Sequence, residues 1–271
     1  MADDFHTIRH YTVRFCDCDA SGHIHLHRLM DYAQDCDDAN CAFFEATTKM
    51  LRARDICWIL IANKVKFLGA MPGADDTLIV ESWSAGSRGV RLYRANRYYR
   101  DTVDEAHLFG TGFSEWILCS RSTHRPLRPF FVLDADAFNS RSDLMIDHVV
   151  DIPRLASFAR SESIRSQVSY QVGYGDLDAN NHLHNTHFAR LALDAAARYL
   201  SIDPCLPRLR VQNFHIQFVK EANYLDALTV FATKDSDDPN RILIEGKITG
   251  QDESSFLAAL DCDAASDATH A

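Results

Sequence analysis

Twelve consecutive residues read Tyr174-Gly175-Asp176-Leu177-Asp178-Ala179-Asn180-Asn181-His182-Leu183-His184-Asn185. Glycine, aspartate and asparagine favour tight turns because they satisfy backbone groups locally. The following segment 186–200 has apolar residues every three or four positions, which predicts a helix, and Asp203-Pro204 would end it. Asp178, Asn180 and His182 are therefore expected in a turn that leads into a helix. Unpaired N–H groups and the helix dipole at such a position suit a developing oxyanion.

The same pattern occurs near the N-terminus at a constant shift, since 178 − 19 and 182 − 23 both equal 159. The matched residues are Asp17/Asp176, Asp19/Asp178, Ala20/Ala179, His23/His182 and His25/His184. In each half a strand precedes the turn, and a long helix and four strand-like segments follow it. This repetition indicates an internal duplication. The predicted fold class is α+β, with two units that each contain a long helix wrapped by an antiparallel sheet.

Strand-like segments of alternating apolar residues define the rest of each unit. They lie at about 7–16, 57–68, 76–84, 89–100 and 107–119 in the first half, and at 225–233, 240–249 and 255–262 in the second. Residues 123–163 have no counterpart, contain three prolines and are predicted to be a connector with a short helix near Asp134–Phe138. The predicted domains are therefore 1–122, the connector 123–163, and 164–271.

The composition restricts the class of protein. With 46% apolar and 24% charged residues the chain is globular, and no apolar run is long enough to span a membrane. A net charge of −10 argues against nucleic-acid binding. The start of the sequence lacks the features of a signal peptide, so a cytoplasmic location is expected. The eight cysteines form no CxxC pair, which indicates neither a disulfide framework nor a zinc ribbon.

Three segments together resemble one family, the acyl-acyl carrier protein (acyl-ACP) thioesterases, which have a tandem hotdog fold. The segment 176–185 is similar to its D-x-N-x-H-x-x-N signature, the strand 214–221 is similar to its arm that ends in a glutamate, and Trp116 with 120–126 is similar to the end of its first hotdog unit. The resemblance implies a double hotdog that hydrolyses fatty acyl-ACP in fatty acid biosynthesis. Acyl carrier protein would be the partner, and neither a metal nor an organic cofactor would be needed.

The resemblance also implies a catalytic set of Asp178, Asn180, His182 and Glu221. Glu221 or His182 would take a proton from the attacking water, Asn180 would orient the water or the base, and Asp178 would fix the turn. Many relatives have a cysteine after the glutamate, but this chain has Ala222, so water rather than a covalent nucleophile is expected to attack.

By the same comparison the first copy has lost its catalytic set. Ser21 replaces the asparagine, and the pairing of Phe67 with Phe218, at a shift of 151, puts Ala70 in place of Glu221. One active site per chain is therefore predicted, in the second unit. The first unit is expected to supply the acyl pocket, and the candidate substrate-binding residues are Met30, Phe43, Phe44, Trp58 and Phe67.

Several alternatives stay open. The histidine clusters at 23–27 and 182–187 raise a metal site, although their spacing is not that of HExxH. Hydrolysis of acyl-coenzyme A and non-catalytic acyl binding are rival functions. The sequence leaves the acyl length, the role of His184 and the formation of a homodimer undecided.

Arginines recur in one strand-like segment, at Arg88, Arg91, Arg94, Arg97 and Arg100. Solvated strand faces are the usual explanation for such a stretch. Docking of an acidic carrier protein is the alternative. Equal candidates for docking are Arg121, Arg125, Arg128, Arg208 and Arg210.

Overall fold

A computed structural model describes residues 5–139, 166–201 and 209–263. The chain divides into two compact units, the first built mainly from the N-terminal half and the second mainly from the C-terminal half. Arg208 and the predicted helix stop at Asp203-Pro204 lie outside the described residues, as does the connector after residue 139. The domain limits proposed from the sequence therefore stay a prediction.

The first unit contains five strands and three helices among its described residues. Their bounds are β1 His6–Thr12, α1 Leu26–Asn40, α2 Thr48–Arg52, β2 Ile56–Phe67, β3 Thr77–Arg88, β4 Arg91–Arg100, β5 Leu108–Ser120 and α3 Ala135–Phe138. The strands form an antiparallel sheet in the order β1-β3-β4-β5-β2. Helix α1 packs on β1 and β3 through an apolar stripe that includes Leu29, Met30 and Ala33.

The second unit repeats this topology. Its elements are β6 Ser166–Gln171, α4 Asn185–Tyr199, β7 Arg210–Phe218, β8 Ala227–Lys234, β9 Arg241–Ile248 and β10 Ser254–Asp263. The sheet order is β6-β8-β9-β10-β7, again antiparallel. Both ends of α4 are shifted by 159 positions from those of α1, which confirms the internal duplication.

Close packing between helix and sheet in the second unit depends on one small residue. The ring of Phe188 on α4 lies 5.4 Å from that of Phe256 on β10 and 5.9 Å from that of Phe218 on β7. A Cβ atom on Gly246 of β9 would lie 2.0 Å from the Phe256 ring. Glycine is required there because any side chain would displace this ring.

Two predicted bounds differ from the structure. The strand expected at 7–16 ends at Thr12, because the chain turns into a 3₁₀ helix at Phe15–Asp17. The apolar spacing after the first turn continues to Phe44 and predicts a helix to that residue, but the helix ends at Asn40 and is followed by a 3₁₀ turn, Cys41–Phe44, and the separate helix α2. Apolar spacing cannot distinguish an α-helix from a 3₁₀ turn that continues the same face. The short helix expected near 134–138 is present as α3.

Arg94 is an exception to the solvated-face explanation of the arginine stretch, because it is only 2% exposed whereas Arg91 and Arg100 are exposed. Its Nη2 donates to Asn40 Oδ1 (2.7 Å) and Ser82 Oγ (3.0 Å), and its Nε lies 3.5 Å from Asp37 Oδ1. Asp37 Oδ1 also accepts hydrogen bonds from Ser82 Oγ (2.6 Å) and Asn96 Nδ2 (2.8 Å). A buried, hydrogen-bonded ion pair thus joins α1 to the sheet.

Candidate active site

The turn before α4 is built by the side chain of Asp178. Its Oδ1 accepts the backbone N–H of Asn180 (2.8 Å) and of His182 (3.3 Å), and its own N–H donates to the His182 carbonyl (2.8 Å). Asn181 has a φ of 68°, a left-handed conformation that asparagine tolerates better than most residues. Asp178 therefore fixes the path of the backbone on which Asn180 and His182 are carried.

Backbone contacts bring Glu221 beside this turn. The Leu183 N–H donates to the Ala222 carbonyl (2.8 Å), and His182 forms an antiparallel bridge with Asn223. Glu221 immediately precedes these two residues, after β7 ends. Its position is set by the sheet and the turn together.

His182 and Glu221 form the central pair of the site. His182 Nε2 lies 3.2 Å from Glu221 Oε2, and the two side chains are 29% and 49% exposed. An ionised carboxylate only accepts hydrogen bonds, so Nε2 is the donor in this pair. The second Glu221 oxygen is then available to a water molecule.

Asn180 lies on the same turn but does not join that pair. Its side chain is exposed, and in the part of the chain that the structure describes its Nδ2 lies 3.4 Å from Asp178 Oδ2. An amide carries two N–H donors and one acceptor, so Asn180 retains donor capacity for a ligand. Of the four predicted catalytic residues, the structure thus places His182 with Glu221 and Asn180 with Asp178.

His184 caps helix α4. Its Nδ1 accepts the Thr186 N–H at 3.3 Å and lies 3.0 Å from Thr186 Oγ1, and its carbonyl accepts the His187 N–H at 2.9 Å. The N–H groups of Thr186 and His187 are therefore occupied. These two groups are therefore not open to an oxyanion, and the histidine acts as a helix cap.

Comparison with known proteins finds one matching family model. Residues 4–129, which are 126 of the 271 residues, match the family model described as the acyl-ACP thioesterase N-terminal domain. This match supports assignment of the chain as a thioester hydrolase. The family match lies in the first half, whereas the four candidate catalytic residues lie in the second.

Solved structures show the same fold over nearly the whole chain. An acyl-ACP thioesterase from Bacteroides thetaiotaomicron is 16% identical, with a TM-score of 0.74, and the match covers 96% of this chain and 99% of that one. The 12:0-ACP thioesterase from Umbellularia californica is 14% identical, also with a TM-score of 0.74, over 96% and 94%. These likenesses confirm the double hotdog fold. A comparison with curated proteins finds no significant match.

The first copy of the turn keeps the shape but not the chemistry. Asp19 Oδ1 accepts the Ser21 N–H at 2.8 Å, as Asp178 does for Asn180, but the Ser21 hydroxyl also bonds Asp19 (2.6 Å). The counterpart of Glu221 needs a correction. Lys220 and Gly69 make equivalent backbone hydrogen bonds, and so do Ala222 and Pro72. In the second unit only Glu221 lies between these two positions, whereas in the first unit both Ala70 and Met71 lie between them. Neither residue supplies a carboxylate.

The five predicted substrate-binding residues do not form one group. Phe44 is 4% exposed, and Trp58 packs against the same buried cluster, with its Nε1 donating to the Ala46 carbonyl (2.9 Å). Phe43 is 50% exposed, and Met30 is buried on α1. Phe67 follows Trp58 by nine residues on β2, or about 30 Å along a strand. Apolar character alone does not show which residues face one cavity, so a role in acyl binding stays a prediction.

Reasoning from sequence missed the role of a partly buried carboxylate, Asp176, two residues before Asp178. Asp176 Oδ2 accepts the Tyr170 hydroxyl (2.6 Å) and the Gly173 N–H (2.8 Å), while Oδ1 lies 3.2 Å from His187 Nδ1 and 3.3 Å from Arg190 Nη2. Burial opposes ionisation, but the hydrogen bonds and the neighbouring cations outweigh it and lower the pKa of Asp176. Its identity with Asp17, which also accepts a tyrosine hydroxyl (Tyr32, 2.7 Å), was the available signal.

We expect Asp176→Asn to lower the free energy of unfolding by about 2–4 kcal/mol at pH 7, because it leaves partly buried cations without their carboxylate. Because the folded-state pKa lies below the unfolded one, the stabilisation is present above the unfolded pKa and is lost as pH falls through the folded pKa. Urea unfolding of both proteins at pH 7 and near pH 3 measures this. The difference should shrink at the lower pH, and a constant difference would contradict an electrostatic role.

Among the described residues, no three histidine, cysteine, aspartate or glutamate side chains are arranged to hold a metal ion. Within the same three ranges, no helix is both long and apolar enough to cross a membrane.

Proposed function

We propose that this chain hydrolyses the thioester of fatty acyl-ACP by direct attack of water and releases a free fatty acid. The observation that carries the proposal is the 3.2 Å contact between His182 Nε2 and Glu221 Oε2 on a solvent-accessible surface. The match of residues 4–129 to the acyl-ACP thioesterase N-terminal domain supports the substrate class.

Glu221 is the general base in this proposal. The hydrogen bond commits His182 Nε2–H to one carboxylate oxygen, so the other oxygen takes a proton from water as the water oxygen attacks the thioester carbonyl carbon. His182 holds the carboxylate in place and stabilises its charge. Asn180, whose exposed side chain lies on the same turn as His182, donates to the carbonyl oxygen as it becomes negative.

The second half of the reaction breaks the carbon–sulfur bond. The tetrahedral intermediate collapses, the carrier thiolate leaves, and the proton held by the Glu221–His182 pair passes to the sulfur. The products are a fatty acid and the carrier thiol. Ala222, next to Glu221, is fully buried and has no nucleophilic atom, which supports attack by water without an acyl-enzyme.

The test is thiol release from a panel in which one acyl chain is joined either to acyl carrier protein or to coenzyme A. We expect kcat/KM to be higher for the carrier-linked substrate, and His182→Ala to lower kcat by about 10²-fold, because the base loses its orienting partner. His107→Ala is the matched control, since that exposed histidine pairs with Asp104 in the first unit. Equal or faster turnover of acyl-coenzyme A would favour the rival substrate, and binding without turnover would favour a non-catalytic protein.

A further inference from the structure

One end of the first unit's sheet is strongly basic. We define the basic end as residues 48–55, which contain α2 and the turn into β2, and residues 120–128, which follow β5. These segments contain six of the chain's 28 lysines and arginines but one of its 38 acidic residues. The remaining residues carry 22 basic and 37 acidic groups, so positive charge is concentrated here in an acidic chain.

Backbone contacts join the two segments into one rigid surface. The Arg121 N–H donates to the Asp55 carbonyl at 2.8 Å, and the Ser120 N–H donates to the Arg125 carbonyl at 3.0 Å. Asp55 Oδ2 accepts the hydroxyls of Ser122 (2.5 Å) and Ser120 (3.1 Å). The single acidic group of this surface is thus used to tie the segments together.

The basic side chains at this end are directed to solvent. Lys49, Arg54, Arg125 and Arg128 are exposed and Arg121 is half-buried, and in the described ranges none of the five forms an ion pair within 4.0 Å. Asp55 lies near enough to Arg121 to interact with it electrostatically, but six cations surround this one carboxylate. A cluster with such an excess of positive charge costs stability through repulsion, so its presence points to an anionic ligand.

The arginines of β4, in contrast, are paired with acidic residues or buried. Arg91 pairs with Glu115, Arg97 lies 3.8 Å from Glu81 and 5.4 Å from the centre of the Trp83 ring, and Arg100 lies 3.9 Å from Asp101. Arg94 is buried. The docking hypothesis for this strand is therefore replaced by one for the basic end.

We propose that the basic end is the docking surface for an acidic acyl carrier protein. This inference rests on the proposed function, because it assigns the surface that receives the carrier of the same substrate. Opposite charges accelerate encounter and orient the partners, and the effect weakens with ionic strength. Pre-formed turns reduce the ordering cost of binding.

Binding and hydrolysis are measured separately in the test. The double variant Arg54→Glu/Arg125→Glu is compared with Arg88→Glu/Lys234→Glu, which changes the charge equally at exposed cations outside the basic end. Fluorescence anisotropy measures Kd for a labelled carrier that bears an uncleavable amide-linked acyl chain. At low salt we expect Kd to rise about tenfold or more in the first variant and less than threefold in the second, and the difference to diminish near 0.3 M salt.

Turnover separates this proposal from the function itself. In the Arg54→Glu/Arg125→Glu variant, KM for acyl-ACP should rise while kcat and the KM for acyl-pantetheine stay unchanged. An unchanged Kd, or an equal loss in both variants, overturns the docking surface even where the wild type hydrolyses acyl-ACP. An equal rise in KM for acyl-coenzyme A also overturns it, because the surface would then bind phosphates. If the wild type does not hydrolyse acyl-ACP but the Arg54→Glu/Arg125→Glu variant shows the expected change in Kd, only the proposed function is refuted.

Discussion

Glu221→Gln should lower kcat for acyl-ACP hydrolysis by about 10²–10⁴-fold while leaving the fold intact. The amide keeps the size of the side chain and can still accept a hydrogen bond from His182, but it cannot take a proton from water. Glu221 is 49% exposed and lies after the end of β7, so no buried contact is lost. Steady-state thiol release measures the change in kcat, and the KM should stay within a few-fold.

Glu253→Gln provides the matched control. Glu253 lies in the same unit, 3.8 Å from Lys220, and is 55% exposed. We expect its activity to remain within twofold of the wild type. Activity of Glu221→Gln equal to that of this control would show that another group activates the water.

Arg94→Met should destabilise the first unit by about 3–5 kcal/mol, because it leaves the buried carboxylate of Asp37 without its cation. Methionine fills much of the volume of the arginine stem, so the loss should report the ion pair and hydrogen bonds rather than a cavity. Urea unfolding followed by circular dichroism measures the effect.

Two further variants isolate the buried charge. Arg100→Met removes an arginine of the same strand that is 46% exposed and lies 3.9 Å from an exposed aspartate, Asp101, and it should cost less than about 1 kcal/mol. Asp37→Asn added to Arg94→Met should restore part of the stability, because the remaining polar group is then neutral. Equal midpoints for Arg94→Met and Arg100→Met would contradict a structural role for the buried network.

The sequence was sufficient for the architecture because its signals are local and repeated. Gly, Asp and Asn in the segment 174–185 specify the turn, apolar spacing specifies α4, and the shift of 159 residues reveals the second copy. The structure confirms each of these. The contact between His182 and Glu221 joins residues 39 positions apart and followed from family resemblance, not from spacing.

Other features depend on three-dimensional packing that a periodic pattern does not encode. Arg94 alternates with exposed arginines along β4, but α1 covers its side of the sheet. In the sequence Asp176 has the character of a turn residue, and its contacts with Tyr170 and Arg190 are evident only in the structure. The expected acyl-pocket residues were chosen as large and apolar, a property that core residues such as Phe44 share.

The extra residue in the interval Ala70–Met71 limits how the first copy of the turn could be engineered. A glutamate substituted at either position would begin from a backbone path one residue longer than the path that presents Glu221 to His182. If the proposed role of Glu221 holds, a copy of this pair in the first unit therefore requires a deletion as well as new side chains, and no point mutation alone would create it.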